Sequence, residues 1–377
     1  MTKQLPRELK VSGFLVERLP KILLGLGILN FFISFLLYFK DTKHFFFSYL
    51  TSYVFFLTLT LGSFFIVMIL FVTRAGWAVV IRRIPEFLMK NVGLMFLLFI
   101  PILFGFHDLY HWSDSHAVST DHILHGKVPY LNIPFFVIRY FVFFGLWGWL
   151  ITQFFKFSNQ QDDSGDETLT LRCQKMATYG ILIYALSQSF AFIDWVMSLT
   201  PHWYSTIFGV YFFAGSVVVG FTTITVLLMV LRKFGYLREF VTVEHYHDLG
   251  KLAYGFNIFW SYIAFSQFFL IWYANIPEET VFFAEHLQNN WNSVAVLLCV
   301  GHFFIPFVFF MSRHMKRILK LHLGMCFWLI FMHFVDIYWI IMPNFSDRFH
   351  LSLVDVTCFF AIGCVFFSVF FFSIETI

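Results

Sequence analysis

Long apolar segments, each separated from the next by a short polar stretch, recur along the whole chain. A helix needs about 20 predominantly apolar residues to cross the hydrocarbon core of a bilayer. Segments that approach this length lie at residues 22–39, 45–73, 91–106, 132–156, 173–199, 205–231, 252–273, 291–312, 318–342 and 353–373. The pattern predicts an all-α integral membrane protein with ten transmembrane helices.

The composition agrees with a membrane environment. Hydrophobic residues make up 59% of the 377 residues and charged residues only 12%, which are too few charges to cover a soluble surface. Residues 1–377 are therefore expected to form a single polytopic membrane domain that contacts the lipid bilayer and not nucleic acid. The arm 1–21 lacks the small-residue cleavage site of a signal peptide, so we expect the first helix to be retained.

The loops on alternate sides of the predicted membrane differ in their content of lysine and arginine. Of the 25 such residues, 20 lie in the N-terminal arm and the even-numbered loops and four in the odd-numbered loops. Loops that are rich in Lys and Arg stay in the cytoplasm, so both termini are expected to be cytoplasmic. The remaining basic residue, Arg139, lies inside the fourth predicted helix.

The chain shows no cofactor motif of its own. Its five cysteines are scattered, and none belongs to CxxC or CxxCH, so we expect no haem, iron–sulfur or zinc site in this chain. One outer loop, residues 106–131, is rich in histidine and aspartate: it contains His107, Asp108, His111, Asp114, His116, Asp121, His122 and His125. It lacks the spacing of a tetrahedral metal site. We interpret it as a polar cap, with metal binding within residues 107–125 as the alternative.

Four ionisable residues interrupt the apolar segments: Asp194, Arg139, His333 and Asp336. At about 1.5 Å per helical residue, Asp194 and Asp336 each lie roughly 10 Å below the outer ends of their helices. His333 and Asp336 are three residues apart and so share a helix face. We predict one buried cluster of Asp194, His333 and Asp336 with Arg139 nearby, serving proton movement. The alternatives are hydrogen bonding between helices and, for Arg139, extension toward the outer surface.

Polar residues deeper in the apolar segments suggest a partial proton route. This route would use Ser187, Gln188, His302, Ser261 and Asn257, and His202 would release protons at the outer side. Trp203, next to His202, is interpreted as an aromatic anchor at the membrane interface. The outer segment 272–286 carries Glu278, Glu279 and Glu285 without Lys or Arg. We expect this acidic face to bind a partner protein, with a solvated loop as the alternative.

Several long motifs resemble a known family. They are "FIDWVMSLTPHWYSTIFGVYFFAG" (192–215), "HDLGKL" (247–252), "FWSYIAFSQFFLIWYANIPEET" (259–280) and "HFFIPF" (302–307). These motifs resemble the ten-helix membrane subunits of bacterial alternative complex III, a quinol:electron-acceptor oxidoreductase. Both such subunits are relatives of the NrfD/polysulfide-reductase membrane anchor. The chain is most similar to the ActF-type subunit, which is not the one assigned the quinol pocket.

The resemblance implies an architecture and partners. Two four-helix bundles, helices 2–5 over residues 45–199 and helices 6–9 over residues 205–342, would be flanked by helix 1 and by helix 10 at residues 353–373. The expected location is the bacterial inner membrane. The expected partners are a quinol-binding sister membrane subunit, an external iron–sulfur protein and c-type haem proteins, which would supply quinol, haem and iron–sulfur clusters. Asp194, His333 and Asp336 match positions suspected of moving protons in the family.

Two other functions stay open. A related membrane anchor that itself binds quinol would need a pocket with an acidic or histidine proton acceptor open to lipid, and the layer near Asp194 could supply one. A secondary transporter would show broken helices at matching positions in the two halves, and the sequence does not show them. We expect no catalysis by this chain alone and assign no catalytic residue and no metal ligand.

Overall fold

Helices form almost all of the protein. The computed structural model describes residues 13–374, and these residues contain no β-strand. The long helices are α1 (Leu19–Tyr38), α2 (Thr42–Val72), α3 (Arg83–Phe104), α4 (Ile133–Ser164), α5 (Glu167–Trp195), α6 (Phe208–Lys233), α7 (Val243–Ala274), α8 (Trp291–Met311), α9 (Leu319–Ile341) and α10 (Leu353–Ser373). We call the end of the molecule between α1 and α2 the outer end, and the opposite end the inner end. Most of the predicted arm 1–21 lies outside the described residues.

The structure supports a multi-pass membrane protein. Within residues 13–374, nine of these helices are long and apolar enough to cross a bilayer. The exception is α7, which has 32 residues but a lower hydropathy because Asn257, Ser261 and Gln267 interrupt its apolar sequence. Its length is sufficient for a crossing, and the tenth span stays a prediction.

Side-chain caps fix where several of the helices begin. Asp41 accepts a hydrogen bond from the backbone N–H of His44 at the start of α2, and Asn132 accepts one from Phe135 at the start of α4. Such caps satisfy backbone groups that the first helical turn leaves free. At the inner end, α4 runs eight residues beyond the predicted span and stops at Gly165, whose φ of 69° lies in the left-handed region that favours glycine.

Two central helices, α2 and α6, organise the packing. Most residues of both are buried, 26 of 31 in α2 and 20 of 26 in α6. They approach so closely that a Cβ added to Gly62 on α2 would lie 1.9 Å from the carbonyl oxygen of Ser216 on α6. Around this pair, α2 also contacts α3, α5, α9 and α10, and α6 also contacts α5, α7 and α9. Side chains at the outer ends of α5 and α9 therefore have α2 and α6 between them.

Two of the long helices, α3 and α8, depart from regular α-helix geometry. Helix α3 consists of three pieces, Arg83–Lys90, Val92–Leu98 and Ile100–Phe104. Helix α8 contains a π-helical turn at Cys299–Phe304, a feature that often marks functional positions. At the outer end, short helices such as His122–Lys127 and Pro277–His286 cover the membrane-spanning part.

Candidate functional site

The first buried ionic group joins α4 and α5. Arg139, in the second turn of α4, donates from Nε to Oδ2 of Asp194, one residue before the end of α5, over 2.5 Å. The two helices pack antiparallel, which brings the outer start of α4 next to the outer end of α5. Asp194 is completely buried and Arg139 is 7% exposed. The predicted proximity of Arg139 to Asp194 is confirmed.

The guanidinium of Arg139 is held from several sides. Its Nη1 donates to the carbonyl oxygen of Tyr130 over 2.9 Å, and its central carbon lies 4.0 Å from the ring centre of Tyr130 and 4.4 Å from that of Phe135. Such cation–π contacts are strengthened when the site is dry. The guanidinium of Arg139 thus extends outward as far as the loop residue Tyr130, as the alternative expected, but it stays buried in the protein. Within residues 13–374, Oδ1 of Asp194 and Nη2 of Arg139 have no hydrogen-bond partner.

A cavity of about 330 Å³ lies above this pair at the outer end. Tyr130 and Ser198 line it, and the Ser198 hydroxyl donates to the Asp194 carbonyl oxygen over 2.5 Å. Lys127, on another wall, donates from Nζ to the carbonyl oxygen of Pro201. The cavity is large enough to hold several water molecules. The space between the buried pair and the outer side is therefore roomy, and its mostly apolar wall carries the polar groups of Tyr130, Ser198 and Lys127.

The second buried group joins α9, α6 and α7. Asp336 on α9 is 1% exposed and accepts a hydrogen bond from the hydroxyl of Tyr211 on α6. The indole N–H of Trp260 on α7 lies near this carboxylate without the alignment of a hydrogen bond. The ring of His302 on α8 lies 3.8 Å, centre to centre, from that of Trp260.

His333 is part of the same region. Its Nε2 is 3.0 Å from the hydroxyl oxygen of Thr58 on α2. A Cβ added to Gly215 on α6 would lie 2.8 Å from Cε1 of His333. Tyr211 and Gly215 are one helical turn apart, so His333 and Asp336 share a face toward α6, as their spacing predicts.

The prediction of one mixed cluster is wrong. Among residues 13–374, no hydrogen bond or ion pair links Asp194 to His333 or Asp336. The reason is the direction of each face: Asp194 points from α5 toward α4, whereas Asp336 points from α9 toward α6. Depth along a helix was predictable, but two residues at one depth meet only if their helices also face each other. The layer contains two sites, and Arg139 belongs to one of them.

The predicted inward route is not continuous. Ser187 accepts from the indole N–H of Trp147 on α4 over 2.8 Å, and Gln188 donates to the carbonyl oxygen of Gly209 over 3.2 Å. On the other side, Asn257 donates to the carbonyl oxygen of His302 over 2.9 Å. Ser261 donates to the carbonyl oxygen of Asn257 over 2.8 Å. The bonds of Ser187, Gln188 and Asn257 join neighbouring helices, whereas the bond of Ser261 lies within α7. In the described residues no hydrogen bond connects Ser187 or Gln188 on α5 to the polar residues of α7 and α8.

His202 lies at the outer end, as predicted, and has an acidic partner. Its Nε2 is 2.5 Å from Oδ2 of Asp121. The hydrogen bond from His202 lowers the pKa of Asp121 below its ordinary value, and the backbone N–H of Leu124 adds to this effect. Trp203 is 2% exposed and stacks on Phe282 at 4.3 Å. Its interpretation as an interfacial anchor is therefore wrong, since it fills the space beneath the helix Pro277–His286.

The roles expected for the outer acidic residues and for the histidine-rich loop stay predictions. Glu278 and Glu279 occupy the first turn of Pro277–His286, where negative charge is favourable beside the helix dipole. In the described part of the chain neither these two nor Glu285 forms an ion pair. In the loop, Asp114 and Asp121 cap short helices, and no group of three metal-binding side chains occurs within residues 13–374.

Sequence reasoning missed the tyrosine and tryptophan partners of the carboxylates and a carboxylate at the inner end. A buried tyrosine hydroxyl needs a partner, so Tyr211 in an apolar helix was a usable signal.

Glu86 lies between two predicted spans and is completely buried. It forms ion pairs with Arg82 at 3.0 Å and Arg83 at 2.7 Å. Ser158 on α4 also donates to Glu86. The contacts of Glu86 with Arg82, Arg83 and Ser158 link the inner ends of α3 and α4.

Comparison with known proteins gave no assignment. Neither the protein-family models nor the curated proteins include a match to this chain.

Proposed function

We propose that the chain is a cofactor-free membrane subunit of a quinol-oxidising respiratory complex in a bacterial inner membrane. In this proposal it supports assembly and moves protons near the outer surface, while a sister subunit oxidises quinol. External iron–sulfur and c-type haem proteins would carry the electrons. The family resemblance supports the partners, and one structural observation supports the proton role. It is the buried Arg139–Asp194 pair beneath the outer cavity.

The architecture that we propose has ten spans, two four-helix bundles and cytoplasmic termini. Helix contacts support the bundles: α2 to α5 contact one another in a ring, and α6 to α9 form a second ring. Helices α1 and α10 pack together through Gly27, where an added Cβ would lie 2.6 Å from Val365. The distribution of Lys and Arg supports the orientation.

The geometry explains why Asp194 suits proton transfer. A charged carboxylate in the membrane is costly and usually indicates an ion or proton pathway. Arg139 holds one carboxylate oxygen, while the other makes no aligned hydrogen bond in the described residues, although the Tyr130 hydroxyl lies near this carboxylate. That free oxygen can accept a proton and later release it to water in the outer cavity.

The proposed proton role is tested with a charge-neutral pair. The variant Arg139→Gln/Asp194→Asn keeps polar side chains in both positions and leaves no unpaired charge. In the purified complex, we expect unchanged haem content and a lower number of protons released per electron. The matched control is Lys251→Gln/Asp248→Asn, an exposed pair at 2.6 Å, which should keep the wild-type ratio. A wild-type ratio in the first variant would contradict the proton role.

The acidic outer face is proposed to bind a partner subunit. Glu278 is exposed, and both Glu278 and Glu279 project from the short outer helix Pro277–His286. If a basic partner surface binds there, Glu278→Lys/Glu279→Lys should make the complex dissociate at lower salt concentration. A complex that stays intact with unchanged salt resistance would show that the residues form a solvated loop.

A second candidate function, quinol binding by this chain itself, is favoured by one observation. A cavity of about 770 Å³ between α7 and α8 includes Tyr211, which donates to Asp336. This location differs from the layer near Asp194 that the sequence suggested, where the cavity is smaller. A secondary transporter is less favoured. The irregular helices α3 and α8 do not occupy matching positions in the two proposed bundles.

A further inference from the structure

A sizeable cavity lies between α7, α8 and the short outer helix Pro277–His286. Its volume of about 770 Å³ falls within the range of roughly 300–1,000 Å³ that is typical of small-molecule sites. Phe265 on α7 and Val296 and Phe304 on α8 line the cavity and are exposed on the outside of the helix bundle. The cavity therefore opens sideways, on the face where lipid chains lie.

The walls of this cavity carry no charge. No Lys, Arg, Asp or Glu is among the residues that line it, and most of its surface consists of aromatic and aliphatic side chains. A charged head group that entered it would lose hydration without gaining a counter-ion. The walls thus favour an occupant whose polar part is uncharged.

The two side-chain amides of the cavity lie toward its outer end. Gln267 on α7 is 7% exposed, lines the cavity and makes no hydrogen bond with any residue of the described chain. It lies seven residues, roughly 10 Å, before the end of α7. Asn292, the second residue of α8, also lines the cavity. The amide of Gln267 is not among the fully enclosed unpaired polar atoms and so can be reached from the cavity, where a ligand could hydrogen-bond to it.

The inner end of the cavity is mostly apolar, because the Ser261 hydroxyl there already donates to the Asn257 carbonyl oxygen, and the irregular turn of α8 shapes it. Cys299, Phe303 and Phe304 belong to the π-helical turn Cys299–Phe304 and line the cavity. The extra residue in a π-turn changes the direction of the side chains around it. Polarity therefore decreases from the outer end, at Gln267, toward the middle of α8.

We propose that this cavity binds one uncharged amphiphile with a long hydrocarbon chain. The head group hydrogen-bonds to Gln267 and Asn292, and the chain extends inward between α7 and α8. An isoprenoid quinone and a neutral acylglycerol share this chemistry. The proposal does not depend on a role in respiration.

The experiment uses the full chain in detergent and tryptophan fluorescence, because Trp260 and Trp339 line the cavity. Three probes are titrated: a short-chain benzoquinone, a brominated monoacylglycerol and a brominated phosphatidylglycerol, each of which quenches tryptophan on contact. Two variants change the cavity: Ala295→Phe fills it, and Gln267→Leu removes the hydrogen-bonding amide. The control, Val308→Phe, adds the same ring to a position on α8 that is 64% exposed and outside the cavity.

We expect saturable quenching by at least one neutral probe, and the probe that quenches identifies the source of the ligand. Ala295→Phe and Gln267→Leu should weaken its binding at least tenfold, whereas Val308→Phe should stay within twofold of wild type. The proposal is overturned if neither neutral probe saturates, if the phosphatidylglycerol binds as tightly, or if Ala295→Phe binds like wild type. This readout involves neither protons nor electrons, so its failure would leave the respiratory proposal standing.

Discussion

Neutralising only one member of the Arg139–Asp194 pair should destabilise the protein strongly. Asp194→Asn keeps the size of the side chain but leaves the Arg139 guanidinium buried without a carboxylate. The side chains are 9% and 0% exposed, and their atoms are 2.5 Å apart. Removing one partner of such a pair costs about 3–5 kcal/mol. The remaining contacts of Arg139 with Tyr130 and Phe135 place the expected loss near the lower end, at about 3 kcal/mol.

The double variant separates charge from shape. Arg139→Gln/Asp194→Asn removes both charges, so its expected cost is about 1 kcal/mol, well below the sum of the two single variants. The surface variant Asp248→Asn breaks a pair whose side chains are 54% and 30% exposed, and it should cost at most about 1 kcal/mol.

The assay is reversible unfolding of the purified chain by a denaturing detergent, followed by circular dichroism, for wild type, both single variants, the double variant and the surface control. A cost of Asp194→Asn below about 1 kcal/mol would refute the reasoning, because a buried, paired guanidinium is not expected to lose its partner at so small a cost. Strict additivity of the single variants would refute it as well, since contacting residues are expected to couple.

Three further predictions concern other contacts. Tyr211→Phe removes the hydrogen bond to Asp336 and should cost about 1–3 kcal/mol in the same unfolding assay, whereas Tyr262→Phe, at a 63% exposed position, should be silent. Gly62→Ala should prevent correct packing of α2 against Ser216 and abolish the yield of folded chain, whereas Gly145→Ala, which has open space around it, should express normally. His202→Ala should return the pKa of Asp121 toward its ordinary value of 3.8. A carboxylate whose pKa is lowered in the folded protein stabilises the fold only at pH values above its unfolded pKa. Hydrogen exchange at residues 122–124 should therefore be faster in this variant than in wild type above about pH 4. At lower pH, where Asp121 is protonated in wild type and in the variant, the two rates should be equal.

The helices were predictable from sequence, and their surroundings were not. Backbone groups in hydrocarbon must bond internally, so a run of about 20 apolar residues becomes a helix whatever its neighbours. Nothing in the run 45–73 distinguishes α2 from α1, yet α2 is buried on all sides and α1 faces mostly outward. Lipid chains are as apolar as leucine, so hydrophobicity does not tell a lipid-facing side chain from a core side chain.

The sequence predicted how deep each site residue lies and which residues share a face of one helix. It did not predict which residues meet between helices. Counting residues placed Asp194 and Asp336 near their outer helix ends, and their spacing placed His333 beside Asp336. The helix that each face meets depends on how the central pair α2 and α6 packs. That packing rests on a backbone contact at Gly62, which no periodic pattern in the sequence reports. The same limitation hid Tyr211, whose partner is 125 residues away.

The central claim, membership of a quinol-oxidising complex, is tested most directly by affinity purification of the tagged full-length chain from its own membrane in a mild detergent. Haem absorbance, iron content and quinol oxidation are measured on the same fractions. The account predicts that c-type haem and iron co-purify with the chain in a fixed ratio and that quinol oxidation follows the haem. A colourless chain that is stable alone and oxidises quinol without partners would contradict the account, as would a chain that purifies with neither haem nor iron.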